Sequence, residues 1–185
     1  MSKNDFEISE FEKRHSRVRL EMEKSGIDLL LVFAPANINY LIGTPSKGYQ
    51  EFQVLFFPLK PGKLTIITRL PDSIHLKAES IADEVIGWGG REPEDPIDVV
   101  KLIMKEKNFN GLKTGIEVPY YYLHPYDYKK IIDLIGDSLV KDSTDLIGTI
   151  RLVKSPAELE YVKKAAHILD KSMETCIKSI EAGKT

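Results

Sequence analysis

Apolar side chains recur three and four residues apart at both ends of the chain; between them they form short runs bounded by turn residues. Near the start, Ile8, Phe11, His15, Val18 and Met22 fall on one helical face. Ser9 and Glu12 stand in the spacing of a capping box, in which the hydroxyl and the carboxylate satisfy free N–H groups of the first turn. Gly26 supplies a stop, so the pattern predicts an amphipathic helix over 9–25. A second box, Ser155-Pro156-Ala157-Glu158, places proline where its missing N–H costs nothing. Leu159, Val162, Ala166, Leu169, Met173, Cys176 and Ile180 then form one apolar seam, predicting a long helix to about Glu181.

The middle of the chain alternates strand and helix signals. Ile27–Phe33 is a short apolar run of the buried-strand kind. Phe52–Phe57 and Lys63–Thr68 flank a Pro/Gly-containing turn and predict a hairpin. Strands are also expected at Asp83–Trp88, Thr114–Val118 and Ser138–Lys141. Helices are expected at Asp72–Ser80, Asp98–Lys107 and Tyr126–Ile135, with a helical turn at Ser143–Ile147. Strands separated by helices make a largely parallel sheet, and the hairpin makes it mixed. The expected fold class is α/β: a mixed, mostly parallel sheet with helices on both faces, followed by a C-terminal helix. A boundary near Gly148–Ser155 divides a domain at 1–150 from the helical segment 151–185. An isolated helix with such a seam needs something to pack on. It folds back on the sheet domain, pairs with another chain, or begins a further domain.

Length and composition agree with this picture. At roughly 150 residues per domain, 185 residues make one domain or a little more. With 42% hydrophobic and 29% charged residues the chain is of ordinary globular type. A net charge of −2 gives no reason to expect nucleic acid or anionic lipid as a partner. No apolar run approaches the ~20 residues of a membrane helix, and the charged N-terminus lacks a signal-peptide core. A single cysteine, Cys176, permits no internal disulfide and points to a reducing cytoplasm.

The usual catalytic motifs are missing. The four histidines, His15, His75, His124 and His167, form no His-Glu-x-x-His pair. Cys176 lies on an apolar seam, where cysteine acts as a small hydrophobe. There is no Gly-x-Ser-x-Gly elbow. Gly43–Gly48 begins like a phosphate loop but has Tyr49 at the lysine position. Two polar loops remain. Thr44–Glu51 gathers Lys47, Tyr49 and Glu51, and Gly89–Pro96 holds Arg91, Glu92, Glu94 and Asp95. Residue types alone leave both as solvated surface, although ligands of α/β domains are met in such strand-end loops.

Two separated stretches add to this reading. Asp28-Leu29-Leu30-Leu31-Val32 followed by Asn37-Ile38-Asn39-Tyr40-Leu41-Ile42-Gly43 resembles the first strand and Asn-x-x-Tyr-x-x-Gly segment of the creatinase/prolidase/aminopeptidase P family, the pita-bread metallohydrolases. About 110 residues later, Ile150-Arg151-Leu152-Val153-Lys154-Ser155-Pro156-Ala157-Glu158-Leu159-Glu160 with Lys164-Ala165-Ala166 is similar to that family's entry into the catalytic domain's first helix. The resemblance covers nearly the whole chain. It implies an N-terminal domain of the creatinase type with a linker helix leading to a catalytic domain beyond Thr185. That domain supplies two aspartates, a histidine and two glutamates as ligands to two divalent metals, Mn, Co or Zn. None of these ligands is expected here, so the chain alone is expected to hold no metal and no catalytic residue.

In dimeric relatives the N-terminal domain supports dimer formation, and the loop after the Asn-x-x-Tyr-x-x-Gly segment reaches the partner subunit's active site. The resemblance therefore implies a homodimer with Lys47, Tyr49 and Glu51 as substrate-binding residues in trans. Creatinase places a phenylalanine and an arginine where an ungapped match puts Tyr49 and Glu51. A carboxylate in place of arginine favours a cationic group such as a free α-amino end. A dipeptide substrate, and hence an Xaa-Pro dipeptidase-like parent, is the first expectation. The alternatives are a creatinase-like amidinohydrolase and a free-standing dimeric binding or scaffold protein. An independent enzyme ranks last, because no paired nucleophile and base is visible.

Overall fold

The computed structural model describes residues 3–44, 51–90 and 94–183. The chain divides into two compact units, Met1–Ile150 and Arg151–Thr185. The first is built on a six-stranded sheet in the order β4-β3-β2-β1-β5-β6. Its strands are β1 (Leu29–Val32), β2 (Val54–Pro58), β3 (Thr65–Arg69), β4 (Glu84–Trp88), β5 (Thr114–Ile116) and β6 (Leu139–Asp142). Only β2 runs against its neighbours, being antiparallel to both β1 and β3, while the β1–β5, β3–β4 and β5–β6 pairs are parallel. The sheet is mixed and mostly parallel, and β2–β3 is the expected hairpin.

The period-two alternation of side chains sorts the central strands between two apolar layers. Leu30, Val32, Leu55, Phe57 and Ile66 point to one face. There they meet Val18 and Met22 of α1 (Ile8–Lys24), Ile38, Leu41 and Ile42 of α2 (Pro35–Ile42), Leu76 of α3 (Leu70–Glu79), and Ile147 and Ile150 of α6 (Thr144–Leu152). Leu29, Leu31, Val54, Phe56 and Ile67 point to the other face, against Ile97, Val100, Ile103 and Met104 of α4 (Pro96–Glu106) and Ile131 and Ile135 of α5 (Pro125–Ile135). Burying each such side chain is worth about 1.5–3 kcal/mol, so the two layers dominate the stability of the unit. Gly115 marks one close approach: a Cβ there would lie 2.6 Å from Ser143 Oγ and 2.8 Å from Ile27 Cδ1.

The first helix starts differently from the expectation. Its N-cap is Glu7, with extended backbone and no side-chain cap, so Ser9 sits inside the first turn and the expected capping box does not form. Phe6 instead packs edge-on against Phe11, their centroids 6.3 Å apart. That contact joins the residue before the cap to the fourth helical position, a hydrophobic staple, and it sets the start one residue earlier. At the other end, α7 (Pro156–Ser179) opens with the expected box. Glu158 N donates to Ser155 Oγ at 3.2 Å, and Ser155 N donates to Glu158 Oε2 at 2.8 Å.

Candidate functional site

Five parallel strands end, and β2 begins, along one edge of the sheet, the edge at which open α/β sheets meet ligands. The segment that leads into the Thr44–Glu51 loop stands there. It is a helix, α2, where the sequence pattern suggests only a connection. Pro35 occupies its first turn, and Gly43 ends it in a left-handed conformation with φ +67°.

Both ends of α2 are tied to distant parts of the chain. At its N-terminus the carboxylate of Glu117, 2% exposed, accepts hydrogen bonds from Phe33 N at 2.7 Å and Ala34 N at 2.6 Å, and from the side-chain amide of Asn37. A buried carboxylate is tolerated when donors surround it in this way. At the C-terminus the last four carbonyls, which a helix leaves without internal partners, are all satisfied. Gly43 N donates to Asn39 O at 2.8 Å, and Arg14 Nη1 to Tyr40 O at 3.1 Å. His15 Nε2 lies 2.7 Å from Leu41 O, and Ile81 N donates to Ile42 O at 2.9 Å. A carbonyl can only accept, so His15 Nε2 carries the hydrogen.

Arg14 is 2% exposed. Its guanidinium lies 4.2 Å from the Phe6 ring centroid and 4.7 Å from that of Tyr40, and Nε is 3.2 Å from Glu10 Oε1. Aromatic faces and a carboxylate thus compensate a buried cation. In Asn37-x-x-Tyr40-x-x-Gly43, then, Asn37 binds Glu117, Tyr40 covers Arg14, and Gly43 turns the chain into the loop. A Cβ on Gly43 would stand 2.7 Å from Phe11 Cζ.

Of the three expected substrate-binding residues, Lys47 and Tyr49 lie outside the described residues. Glu51 stands at the far end of the loop, where Arg69 Nη1 donates to its Oε1 at 3.1 Å. The same guanidinium donates through Nε to Asp72 Oδ2 at 3.3 Å. Glu51 is thus held at the end of β3 and shares its cation with a second carboxylate. Beside it, a cleft of about 290 Å³ is lined by Phe52, the tyrosines 120–122, His124 and Asp127. Tyr120 and Tyr121 are 98% and 85% exposed. Burial pushes the Asp127 carboxyl above its usual range, and nearby His124 opposes that shift.

The second polar loop is structural in its described part. Glu94 Oε2 accepts from Gly89 N at 2.6 Å and Gly90 N at 3.2 Å. Asp95 caps α4 by accepting from Ile97 N at 2.9 Å and pairs with Lys130, whose ammonium it pushes up to about 12. Arg91 and Glu92 lie outside the described residues. Among the described residues no group of three or more His, Cys, Asp or Glu is placed to hold a metal ion, and no helix is long and apolar enough to cross a membrane.

Comparison with known proteins gives this architecture its family. The model of the creatinase/prolidase N-terminal domain matches residues 14–153. The chain belongs to the creatinase/prolidase N-terminal domain family. Strand β1, helix α2 and the whole six-stranded sheet lie within the matched residues. The uncharacterized hydrolase/peptidase y4tL of Sinorhizobium fredii is 29% identical, over 96% of this chain and 47% of its own length. The ectoine hydrolase of Halomonas elongata is 24% identical, over 96% of this chain and 46% of its own length. In fold the chain is similar to the Xaa-Pro dipeptidase from Bacillus anthracis, with a TM-score of 0.73 at 21% identity, covering 95% of this chain and 45% of that one. The chain spans about half the length of the curated relatives it matches.

Sequence reasoning missed Glu117, Arg14 and Arg69. Glu117 closes a strand and is separated from Asn37 by 80 positions, so no local pattern announces the contact. Arg14 adjoins the apolar seam of the first helix, and an arginine between Phe11 and Val18 was the available signal. Helix α2 also had its signals in Pro35, Gly43 and the Ile38, Leu41, Ile42 spacing, which eight residues with two asparagines obscured.

Proposed function

We propose that this chain is the non-catalytic N-terminal domain of an Xaa-Pro dipeptidase-like metallohydrolase. It supports a homodimer and lends its 44–51 loop to substrate selection in the partner subunit. The observation that carries this reading is α2, fixed by Glu117 at one end and by Arg14, His15 and Ile81 at the other. A helix anchored so firmly at a ligand-facing edge gives the loop that follows a defined root, as a loop that reports on a substrate requires. Family membership and the half-length coverage of relatives support a second, metal-binding domain beyond this chain. That second domain would hold the two divalent ions, Mn, Co or Zn, of a peptidase of this family.

Within this reading Glu51, with Lys47 and Tyr49, faces the cationic end of a small substrate, and a dipeptide's α-amino group suits it. The match to a creatinase from a Bacillus species favours a second reading, the domain of a creatinase-like amidinohydrolase. A cytoplasmic location fits a chain with one, exposed cysteine. The test is Glu51→Ala in the protein that joins this domain to its catalytic domain. The ratio of kcat/KM between substrates with and without a free amino group should fall, with bound metal unchanged. Identical ratios across a panel of dipeptides and creatine-like guanidino acids would remove Glu51 from substrate selection.

A further inference from the structure

Around the cleft beside Glu51, carboxylates outnumber the cations paired with them. Glu51 and Asp72 share Arg69. Asp95 has Lys130, whose ammonium also lies 4.3 Å from the Tyr126 ring centroid. Asp127, on the cleft wall, makes no hydrogen bond and no ion pair among the described residues. Tyr120 and Tyr121 line the same cleft, their ring centroids 6.5 Å apart and their surfaces almost wholly open. Two adjacent open aromatic rings thus share a cleft with a half-buried carboxylate whose neighbouring cations, His124 and Lys130, act on it only through space. Ring faces and a partly desolvated carboxylate are the two elements that attract an organic cation.

We infer that this cleft binds an organic ammonium group, with Asp127 as its counter-ion and the tyrosines 120–122 as its walls. The inference deepens the proposed role of this edge in substrate selection and rests on that reading for its use. It adds Asp127 as a second carboxylate beside Glu51, whose Arg69 is shared with Asp72. A volume of about 290 Å³ suits the head of a small amine rather than a whole peptide. As an acid in the first turn of α5, Asp127 also interacts favourably with the helix dipole. That accounts for a contribution to helix stability but not for the aromatic wall.

Direct binding separates the two roles. The purified chain is titrated with L-alaninamide, which carries an ammonium group at about pH 6.5, and with N-acetyl-L-alaninamide, which carries none. The readouts are tyrosine ring resonances and heat of binding. A saturable, millimolar-range response to the first compound alone is expected. Asp127→Asn should weaken it about tenfold and Tyr121→Leu several-fold, with thermal unfolding of the Tyr121 variant unchanged. Equal responses to the two compounds would overturn the inference, as would undiminished binding by both variants. Because the chain is tested without a catalytic domain, failure here leaves the Glu51 kinetics standing. Failure of those kinetics leaves ammonium binding in place without a role in selection.

Discussion

The side-chain amide of Asn37 donates to the carboxylate of Glu117, 80 positions later in the chain. That contact joins the N-terminal turn of α2 to the end of β5, and the same carboxylate holds the backbone of Phe33 and Ala34. The asparagine that opens the family segment is therefore a positioning residue of the fold.

Replacing the charged acceptor should be costly. Glu117→Gln keeps the shape but offers an amide in place of a carboxylate to three donors. We expect a loss of about 1.5–3 kcal/mol in urea unfolding, as for hydrogen bonds to charged groups. Asn37→Ala alone should lose less, and the double variant should be less destabilised than the sum because the two residues share one contact. Additive losses would show that they act independently.

Gly43→Ala should destabilise for two reasons. The backbone there is left-handed, and a Cβ would stand 2.7 Å from Phe11 Cζ. A cost of about 1–3 kcal/mol is expected. Combining it with Phe11→Leu should restore only the part due to the clash. Full recovery in that pair would show that the left-handed turn contributes nothing.

His15 predicts a pH dependence. Burial lowers its pKa below the usual 6.5, against the opposing bond to the Leu41 carbonyl. The folded chain therefore holds it neutral where the unfolded chain binds a proton. Its contribution is fully present above 6.5 and is lost as pH falls through that value towards the lowered folded one. Urea midpoints measured at intervals over this range should fall more steeply for the native chain than for His15→Gln. Parallel curves would exclude His15 as the source.

The strand pattern and the mixed sheet were readable because each rests on local periodicity. Leu29 and Leu31 face one layer while Leu30 and Val32 face the other, as a strand buried on both sides demands. The second capping box was readable because Ser155 and Glu158 are three residues apart. The first failed because Phe6 and Phe11 competed for the same helix start, and aromatic packing prevailed over a hydroxyl cap. At the candidate site the sequence pointed to Glu51 as a polar residue at a strand end, which is where it stands. What Glu51 touches was not legible, since Arg69 reaches it from a neighbouring strand and the tyrosine wall comes from a loop far along the chain. Tertiary contacts of that kind leave no spacing signal.

Arg69→Met should release Glu51 from its cation. In the protein that carries a catalytic domain this should raise the preference for substrates with a free amino group. A fall in that preference would mean that Arg69 itself contacts the substrate.

Selection in trans has one direct measurement. Mixed dimers are prepared from one subunit with Glu51→Ala and an intact catalytic domain, and a second with native Glu51 and a catalytic domain stripped of a metal ligand. Only the first subunit can turn over substrate, and only the second can offer it Glu51. Recovery of the native substrate preference in the mixed dimer is the expected result. Persistence of the Glu51→Ala preference would contradict a role for this domain in its partner's active site.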